Sequence, residues 1–236
     1  MAFYLMGTGL DKNSISADAI KILKSCDKIY LENYTVNFPY TTQELEDSLN
    51  IKISEINREE VENESIINEA VEKNITLLIY GDPLSATTHM QLILACKKQN
   101  IDYQIFHNAS IMTAISETGL QPYKFGKTPS MPNWKEHTNK PTSFVKIIEE
   151  NKSIGAHTLI LTDIGLELKE ALNQLEKTIK IGKIIVLSNA GTKNQKIFYD
   201  SPKNLKEKKI QMPFCLIIPG KLHFLEEEAL EKLKEN

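Results

Sequence analysis

Short runs of β-branched and aliphatic residues alternate with longer helical patterns along almost the whole chain, and each run ends in small or turn-forming residues. Alternation of this kind is typical of βαβ units, in which parallel strands are buried beneath helices. The chain is therefore predicted to be an α/β protein. In open α/β sheets ligands bind beyond the carboxyl ends of the strands, so the loops that follow the predicted strands are the first places to look for a site.

The predicted elements occupy most of the chain. In the first half the strands are residues 3–6, 28–31, 76–80 and 103–107, and the helices are 17–24, 43–49, 59–73 and 87–99. In the second half the strands are 157–162, 183–188 and 214–218, and the helices are 143–151, 166–180 and 224–234. Residues 196–199 are predicted to pair antiparallel with 183–188, and residues 126–141, with three prolines, to form a long loop.

The chain length, 236 residues, suits one large α/β domain or two smaller ones. Because the strand pattern ends near residue 108 and then restarts, we predict two α/β domains with mainly parallel sheets, residues 1–109 and 110–236. Two helix starts are well marked. Thr41 with Glu44, and Asn57 with Glu60, supply a polar N-cap and an acidic residue three positions later.

Charge and apolar runs restrict the partners. Lys and Arg number 28 against 31 Asp and Glu, a net charge of −3, so no bulk basic field indicates a nucleic-acid partner. The longest apolar stretches fall far short of the roughly 20 residues that span a membrane. Three cysteines without CxxC spacing predict reduced, buried thiols. The N-terminus lacks a basic segment and breaks at Gly7, and a cytoplasmic protein is therefore expected.

Three loops of the first half carry candidate site residues. Residues 7–10 (Gly-Thr-Gly-Leu), 81–89 (Gly-Asp-Pro-Leu-Ser-Ala-Thr-Thr-His) and 107–111 (His-Asn-Ala-Ser-Ile) each follow a predicted strand. The glycines permit tight turns and close approach to a ligand, although the third glycine of a dinucleotide fingerprint is absent. The other interpretation is structural: a plain strand-to-helix turn, a helix cap at Asp82 or Ser85, and a packing histidine at His89.

Three further loops lie in the second half, at residues 162–164, 188–192 and 218–223, and we expect all of these strand ends to form one cleft. Residues 118–127, with aromatic residues between lysines, could hold an anionic partner or could be ordinary surface. The chain has no phosphate-binding P-loop, HExxH or G-x-S-x-G motif, which argues against P-loop, zinc-hydrolase and serine-hydrolase chemistry.

Taken together and in order, these segments resemble the diphthine synthase family, within the tetrapyrrole-methylase-like, or class III, S-adenosylmethionine methyltransferases. The glycine turn and the Gly-Asp-Pro loop are similar to the wider group. The strings Ala-Thr-Thr-His at 86–89, Tyr-Lys-Phe-Gly-Lys at 123–127 and Pro-Gly-Lys-Leu-His at 219–223 resemble the narrower family. The resemblance extends from Tyr4 to about Ala229.

The resemblance implies a fold and an activity. Two α/β domains would enclose S-adenosylmethionine in the cleft between them, and the enzyme would work as a homodimer. It would trimethylate the amino group of the aminocarboxypropyl-modified histidine of translation elongation factor 2 in diphthamide biosynthesis. No nucleic acid or membrane partner is implied.

The resemblance also implies cofactor contacts, which fall into two groups. Those that keep the family pattern are Leu10, Asp82, Ser110, Ile111 and Ala190. Those that depart from it are Ser85, Thr162 and Phe214. The segments before Ser188 and between 194 and 213 are shorter than in typical members, which would trim the surface that docks the protein substrate.

Catalytic residues stay open at this point. An amine nucleophile must lose a proton before it attacks, and Asp82, His89 and His223 are the ionisable candidates. Lys124, Lys127 and Lys221 could bind a substrate carboxylate or could be solvated surface residues. Two alternatives compete: another class III methyltransferase acting on a tetrapyrrole or ribosomal RNA, and a non-catalytic cofactor-binding interaction module.

Overall fold

A computed structural model of the protein describes residues 1–233. The chain divides into two compact units, Met1–Met112 and one that begins at Thr113. The helix predicted to end at residue 234 and the domain predicted to end at residue 236 both extend beyond the described residues. Within that part of the chain, no helix is long and apolar enough to cross a membrane.

The first unit contains five strands and five helices, followed by a short helix that leads out of it. The strands are β1 (Ala2–Gly7), β2 (Lys28–Glu32), β3 (Ser54–Ile56), β4 (Ile75–Ile79) and β5 (Asp102–Phe106). The helices are α1 (Ala17–Leu23), α2 (Thr42–Leu49), α3 (Arg58–Glu62), α4 (Ser65–Glu69), α5 (Met90–Gln99) and α6 (Ile111–Ala114). Both predicted capping boxes, at Thr41 and Asn57, are present.

Three features of the first unit differ from the prediction, and one of them is the start of α5, which begins at Met90 and not at residue 87. The single helix expected over residues 59–73 is two short helices, α3 and α4, because Glu64 between them takes a left-handed conformation with φ of 60°. The three-residue strand β3 was not predicted, since it has too few residues to show an alternating pattern. The four predicted strands are confirmed to within one residue at each end.

The sheet of the first unit is parallel throughout, in the order β3-β2-β4-β1-β5. Apolar clusters cover both of its faces, and all five residues of β4 are buried. Burial on both faces explains why the sequences of these strands are continuous aliphatic runs. The predicted parallel α/β arrangement is confirmed here, and every strand of this sheet ends at the same edge.

The second unit is also built from strands and helices. Its strands are β6 (Ser130–Met131), β7 (Thr158–Thr162), β8 (Ile184–Ser188), β9 (Lys196–Asp200) and β10 (Phe214–Ile218). Its helices are α7 (Ser143–Ser153), α8 (Leu168–Thr178), α9 (Pro202–Leu205) and α10 (Phe224–Lys232). The predicted loop at residues 126–141 contains β6 and one turn of 3-10 helix, Trp134–Glu136.

The second sheet corrects one expectation. Its order is β6-β7-β10-β8-β9, and β10 runs antiparallel to both β7 and β8. β9 pairs antiparallel with β8, as predicted, and only β6 and β7 pair in parallel. A mainly parallel sheet was therefore wrong for this unit. β10 is almost wholly buried, as a central parallel strand would be, so its sequence does not reveal its direction.

Candidate functional site

The loops after β1 and β4 meet at the carboxyl edge of the first sheet. Gly9 N donates to Gly81 O at 3.1 Å, and Gly81 N donates to Gly9 O at 3.0 Å. Both glycines have positive φ, 72° and 77°, a conformation that costs glycine little and other residues more. The two predicted loops are thus joined by their backbones just beyond the strand ends.

Gly7, the last residue of β1, lets the loops of both neighbouring strands close over the end of β1. A Cβ at Gly7 would lie 2.4 Å from Gly81 O, a distance that a real side chain does not allow, and 3.1 Å from the Cβ of Asn108, which is a tight contact. Asn108 completes the junction, since its Nδ2 donates to Gly7 O at 3.1 Å and to Ser14 O at 3.0 Å. The glycine therefore brings the loops after β4 and β5 together across β1.

Asp82 is the centre of this junction. Its Oδ1 accepts from Leu84 N at 3.0 Å and from Ser85 Oγ at 3.1 Å. Its Oδ2 lies 2.7 Å from His107 Nδ1 and accepts from Asn108 N at 3.3 Å. Burial alone would raise the pKa of Asp82, but these donors outweigh it and hold the pKa below its usual value. Four accepted bonds match the capacity of a carboxylate, which makes Asp82 an organiser of the loops.

His107 is held by Asp82 but otherwise faces solvent. Because Asp82 is ionised at neutral pH it can only accept, so His107 Nδ1 carries the proton of their hydrogen bond. Nε2 then bears the lone pair of the neutral ring. The His107 side chain is 66% exposed, against 11% for Asp82. Among residues 1–233, none is hydrogen-bonded to Nε2.

The other expected cofactor residues of this unit lie on the same loops. Leu10 is buried and its carbonyl accepts from Tyr80 Oη at 3.2 Å. Ser110 is buried and its Oγ accepts from Met112 N, while Ile111 begins α6. Ser85 precedes Ala86, which has a left-handed φ of 57°, a costly conformation for a residue with a Cβ. The structure thus places Leu10, Asp82, Ser85, Ser110 and Ile111 at one edge of one sheet.

The three expected residues of the second unit also come together, for a reason that the sequence does not show. Because β10 is antiparallel, its first residue, Phe214, lies at the edge where β7 and β8 end. Thr162 Oγ1 donates to Phe214 O at 3.3 Å, and Phe214 pairs with Ser188, two residues before Ala190. Asn189, between them, has a left-handed φ of 49°.

The antiparallel direction of β10 corrects a second expectation. Residues 218–223 begin at the last residue of β10 and therefore lie at the opposite edge of this sheet, beside the start of β7. Gly220 N donates to the ring Nδ1 of His157, just before β7, at 2.8 Å. This segment was expected to lie beside Thr162, Ala190 and Phe214 at one set of strand ends, but it lies at the other edge of the sheet.

A buried network at that opposite edge uses the residues expected to bind a substrate carboxylate. Glu226 is fully buried and accepts from Gln121 N at 2.9 Å, from His223 N at 2.7 Å and from Lys124 Nζ. These donors, together with His157 Nε2 at 3.0 Å, overcome the effect of burial and lower the pKa of Glu226 to about 2. The Lys124 ammonium group is therefore part of a structural ion pair and is not available for a substrate carboxylate.

Two of the remaining candidates, Lys127 and His223, are also engaged. Lys127 Nζ pairs with Glu150 at 3.0 Å, and His223 is the N-cap of α10. A cavity of about 750 Å³ opens nearby, and four lysines line it: Lys152, Lys180, Lys183 and Lys221. None of the eight expected cofactor residues lines that cavity.

His89, a candidate proton acceptor, is buried in the first unit. Its Nδ1 lies 2.7 Å from Thr87 Oγ1, and its Nε2 lies 2.6 Å from Oε2 of the fully buried Glu32, at an angle unsuited to a hydrogen bond. Thr35 donates to the other oxygen of Glu32. This group ties the end of β2 to the loop after β4, which supports the packing interpretation of His89.

Three residues have roles that the sequence did not indicate: His107 and Asn108, which follow β5, and Glu32, the last residue of β2. His107 and Asn108 stand directly after a predicted strand, which was a signal. Their partner Asp82 follows β4, and β1 lies between β4 and β5 in the sheet, so the contact depends on a strand order that the sequence does not state.

Comparison with known proteins places these features in context. The family model for Tetrapyrrole (Corrin/Porphyrin) Methylases matches residues 2–205. A diphthine synthase of Methanocaldococcus jannaschii is 39% identical, with 98% of each chain covered. The diphthine methyl ester synthase of Homo sapiens is 40% identical over 75% of this chain and 63% of its own length. A crystal structure of a diphthine synthase superposes with a TM-score of 0.89 at 29% identity, covering 100% of this chain and 96% of the other.

Proposed function

Because the chain belongs to the tetrapyrrole methylase family, and within it to the diphthine synthases, we propose that it trimethylates the aminocarboxypropyl-modified histidine of translation elongation factor 2 with S-adenosylmethionine. The relative from Methanocaldococcus jannaschii carries the proposal, because 98% of both chains align. A tetrapyrrole or ribosomal RNA substrate is not favoured, since the relatives of high coverage are named for diphthine synthesis. A non-catalytic interaction module is not favoured either.

The edge of the first sheet suits such a cofactor. S-adenosylmethionine carries a cationic sulfonium, an ammonium, ribose hydroxyls and an adenine ring. The ionised Asp82 supplies negative charge, Ser85 and Ser110 supply hydroxyls, and Leu10 and Ile111 supply apolar contact. A mostly apolar lining with a few placed polar groups is what small-ligand sites show. In the second unit, Thr162, Ala190 and Phe214 are the proposed contacts.

The reaction makes modest demands on the protein. S-adenosylmethionine, when bound, supplies a methyl group on a sulfonium, whose departure leaves a neutral thioether. The chain must hold the attacking amine in line with that methyl group, and positioning of two reactants supplies much of the rate in such displacements. The four bonds to Asp82 hold the loop that contains Ser85 in one conformation, in which Ala86 is left-handed.

The proposed setting follows from the same family membership. We propose that the protein acts in the cytoplasm as a homodimer, with elongation factor 2 as its protein partner. A net charge of −3 supports recognition by shape and by a few local groups, because no bulk field would steer the partner.

The decisive test is a transfer assay. The purified protein is incubated with methyl-labelled S-adenosylmethionine and elongation factor 2 that bears the aminocarboxypropyl group. Label should appear in that factor, and mass spectrometry should count three methyl groups on the modified histidine. The unmodified factor is the matched control and should stay unlabelled. If the modified factor takes up no label, the proposed function is wrong.

A further inference from the structure

We propose that His107 is a catalytic residue that accepts the proton of the substrate amine, and that Asp82 holds it in position for that task. The inference rests on the proposed function, since it concerns the amine that this reaction methylates. It also departs from the candidates that the sequence suggested, because Asp82 and His89 are engaged in other contacts and His223 lies at the opposite edge of the second sheet from the expected cofactor residues.

The geometry of the pair is that of a base and its orienting carboxylate. Asp82 Oδ2 accepts the Nδ1 proton of His107 at 2.7 Å and also accepts from Asn108 N, which belongs to the residue after His107. Two bonds to one oxygen fix both the backbone and the ring of this strand end. A carboxylate bound to one imidazole nitrogen selects the tautomer in which the other nitrogen can accept a proton.

The position of His107 places that accepting nitrogen where the reaction is proposed to occur. His107 precedes the proposed cofactor contacts Ser110 and Ile111 by three and four residues on the same strand-end loop, and it is bonded directly to Asp82. Its ring is 66% exposed at the carboxyl edge of the first sheet. A second reactant can therefore reach Nε2 without displacing a protein group that is already bonded there.

The proposed step balances in atoms and charge. The lone pair of His107 Nε2 takes a proton from the substrate ammonium, and the electrons of the broken N–H bond become the lone pair of the amine. That lone pair forms the new N–C bond to the methyl carbon, while the electrons of the old C–S bond go to sulfur. The imidazolium is stabilised by the Asp82 carboxylate and then releases its proton to water.

The other ionisable groups are less suited to this role. His89 is 2% exposed and has both ring nitrogens within 2.7 Å of Thr87 and Glu32, so a substrate cannot reach it. His223 caps α10 through its Nδ1, which accepts from Leu225 N, in the network of the second sheet. Asp82 already accepts four hydrogen bonds. His223 is exposed and, within residues 1–233, keeps an unbonded Nε2, but it lies at the edge of its sheet opposite the expected cofactor residues; His107 is the candidate whose unbonded nitrogen lies on a loop that carries those residues.

The test compares His107→Gln with wild type and with His137→Gln, which changes an exposed histidine of the second unit. Glutamine at 107 can still accept or donate a hydrogen bond but cannot take up a proton. We expect methyl transfer at neutral pH to fall about 100-fold or more, the usual contribution of a general base. The rate of His107→Gln should keep rising with pH where that of wild type has levelled off. The rate of His137→Gln should match wild type.

Two measurements that do not depend on turnover separate catalysis from structure. Calorimetry should give the same affinity for S-adenosylhomocysteine, within about twofold, for wild type and His107→Gln. Nitrogen-15 NMR of the wild-type protein should show neutral His107 protonated at Nδ1, and added imidazole should partly restore transfer by His107→Ala.

The outcomes are distinct. If wild type methylates modified elongation factor 2 and His107→Gln does so at the same rate with the same pH profile, the role of His107 is wrong and the proposed function stands. A loss of cofactor affinity in proportion to the loss of rate would also overturn the role, in favour of a structural one. If wild type transfers no methyl group, both proposals fail.

Discussion

Two of the histidine–carboxylate pairs among residues 1–233 are similar in chemistry and opposite in environment. Asp82 with His107 lies at the carboxyl edge of the first sheet, and Glu226 with His157 lies at the edge of the second sheet where β7 begins. In each pair the carboxylate has a lowered pKa and also accepts backbone amides. The histidines differ, because His107 is 66% exposed whereas His157 is fully buried.

That difference in burial decides what each pair can do. His157 uses both ring nitrogens, since Nδ1 accepts from Gly220 N and Nε2 faces Glu226, and burial lowers the pKa of His157 so that the ring stays neutral. No ring nitrogen is left for a ligand. His107 uses one nitrogen and leaves the other accessible. The same residue types therefore stabilise the fold in one unit and are available for proton transfer in the other.

The largest effect should come from Glu226→Gln. The substitution removes the charge that balances Lys124. It also turns a donor group either towards Lys124 Nζ and the His223 amide or towards the Gln121 amide and His157 Nε2. Breaking a buried charge pair from one side costs about 3–5 kcal/mol, so the free energy of unfolding should fall by about 3 kcal/mol. Denaturant unfolding would measure it. Glu231→Gln, at an exposed position of α10, should stay within about 0.5 kcal/mol of wild type.

Lowering the pH tests the contribution of the Glu226 charge to stability in the same two proteins. Because the pKa of Glu226 is lowered to about 2 in the folded protein from an ordinary value of 4.5, its contribution to stability is complete above pH 4.5 and is lost as the pH falls towards 2. The difference in the free energy of unfolding between wild type and Glu226→Gln should therefore become smaller as the pH falls over that range. If that difference in the free energy of unfolding stays constant with pH, the charge of Glu226 does not stabilise the fold.

A smaller effect on stability, but a clear one on binding, is expected from Asp82→Ala. Four donors lose their shared acceptor, and the loops after β4 and β5 lose their connection. Because the site also loses the negative charge of Asp82, calorimetry should show the affinity for S-adenosylmethionine reduced about 10-fold to 100-fold, which corresponds to about 1.4–2.8 kcal/mol. Asp102→Ala, at the other end of β5, is the control. An unchanged affinity in Asp82→Ala would remove Asp82 from the site.

The smallest effect on stability should come from His107→Gln. The side chain is exposed and the hydrogen bond to Asp82 is one of four, so the free energy of unfolding should change by no more than about 0.5 kcal/mol. Thermal and denaturant unfolding would check this. A loss comparable to that of Glu226→Gln would show that both histidine–carboxylate pairs are structural, and the contrast between them would disappear.

Prediction from the sequence succeeded where local pattern was sufficient. Capping residues at Thr41 and Asn57 fixed two helix starts, and continuous aliphatic runs located the central strands. It failed for the direction of β10, because a strand buried on both faces has the same pattern in parallel and antiparallel sheets. It also failed for residues 218–223, which were grouped with strand ends at the wrong edge.

The sequence by itself determined the α/β class, the family and the loops that carry the expected cofactor residues. Only the tertiary structure decided which side chains of those loops meet. Asp82 contacts His107 because β1 lies between β4 and β5 and ends in a glycine. Lys124 is unavailable to a ligand because it is paired with Glu226. Such contacts join residues 25 and 102 positions apart in the chain, and local pattern carries no information about which strands become neighbours.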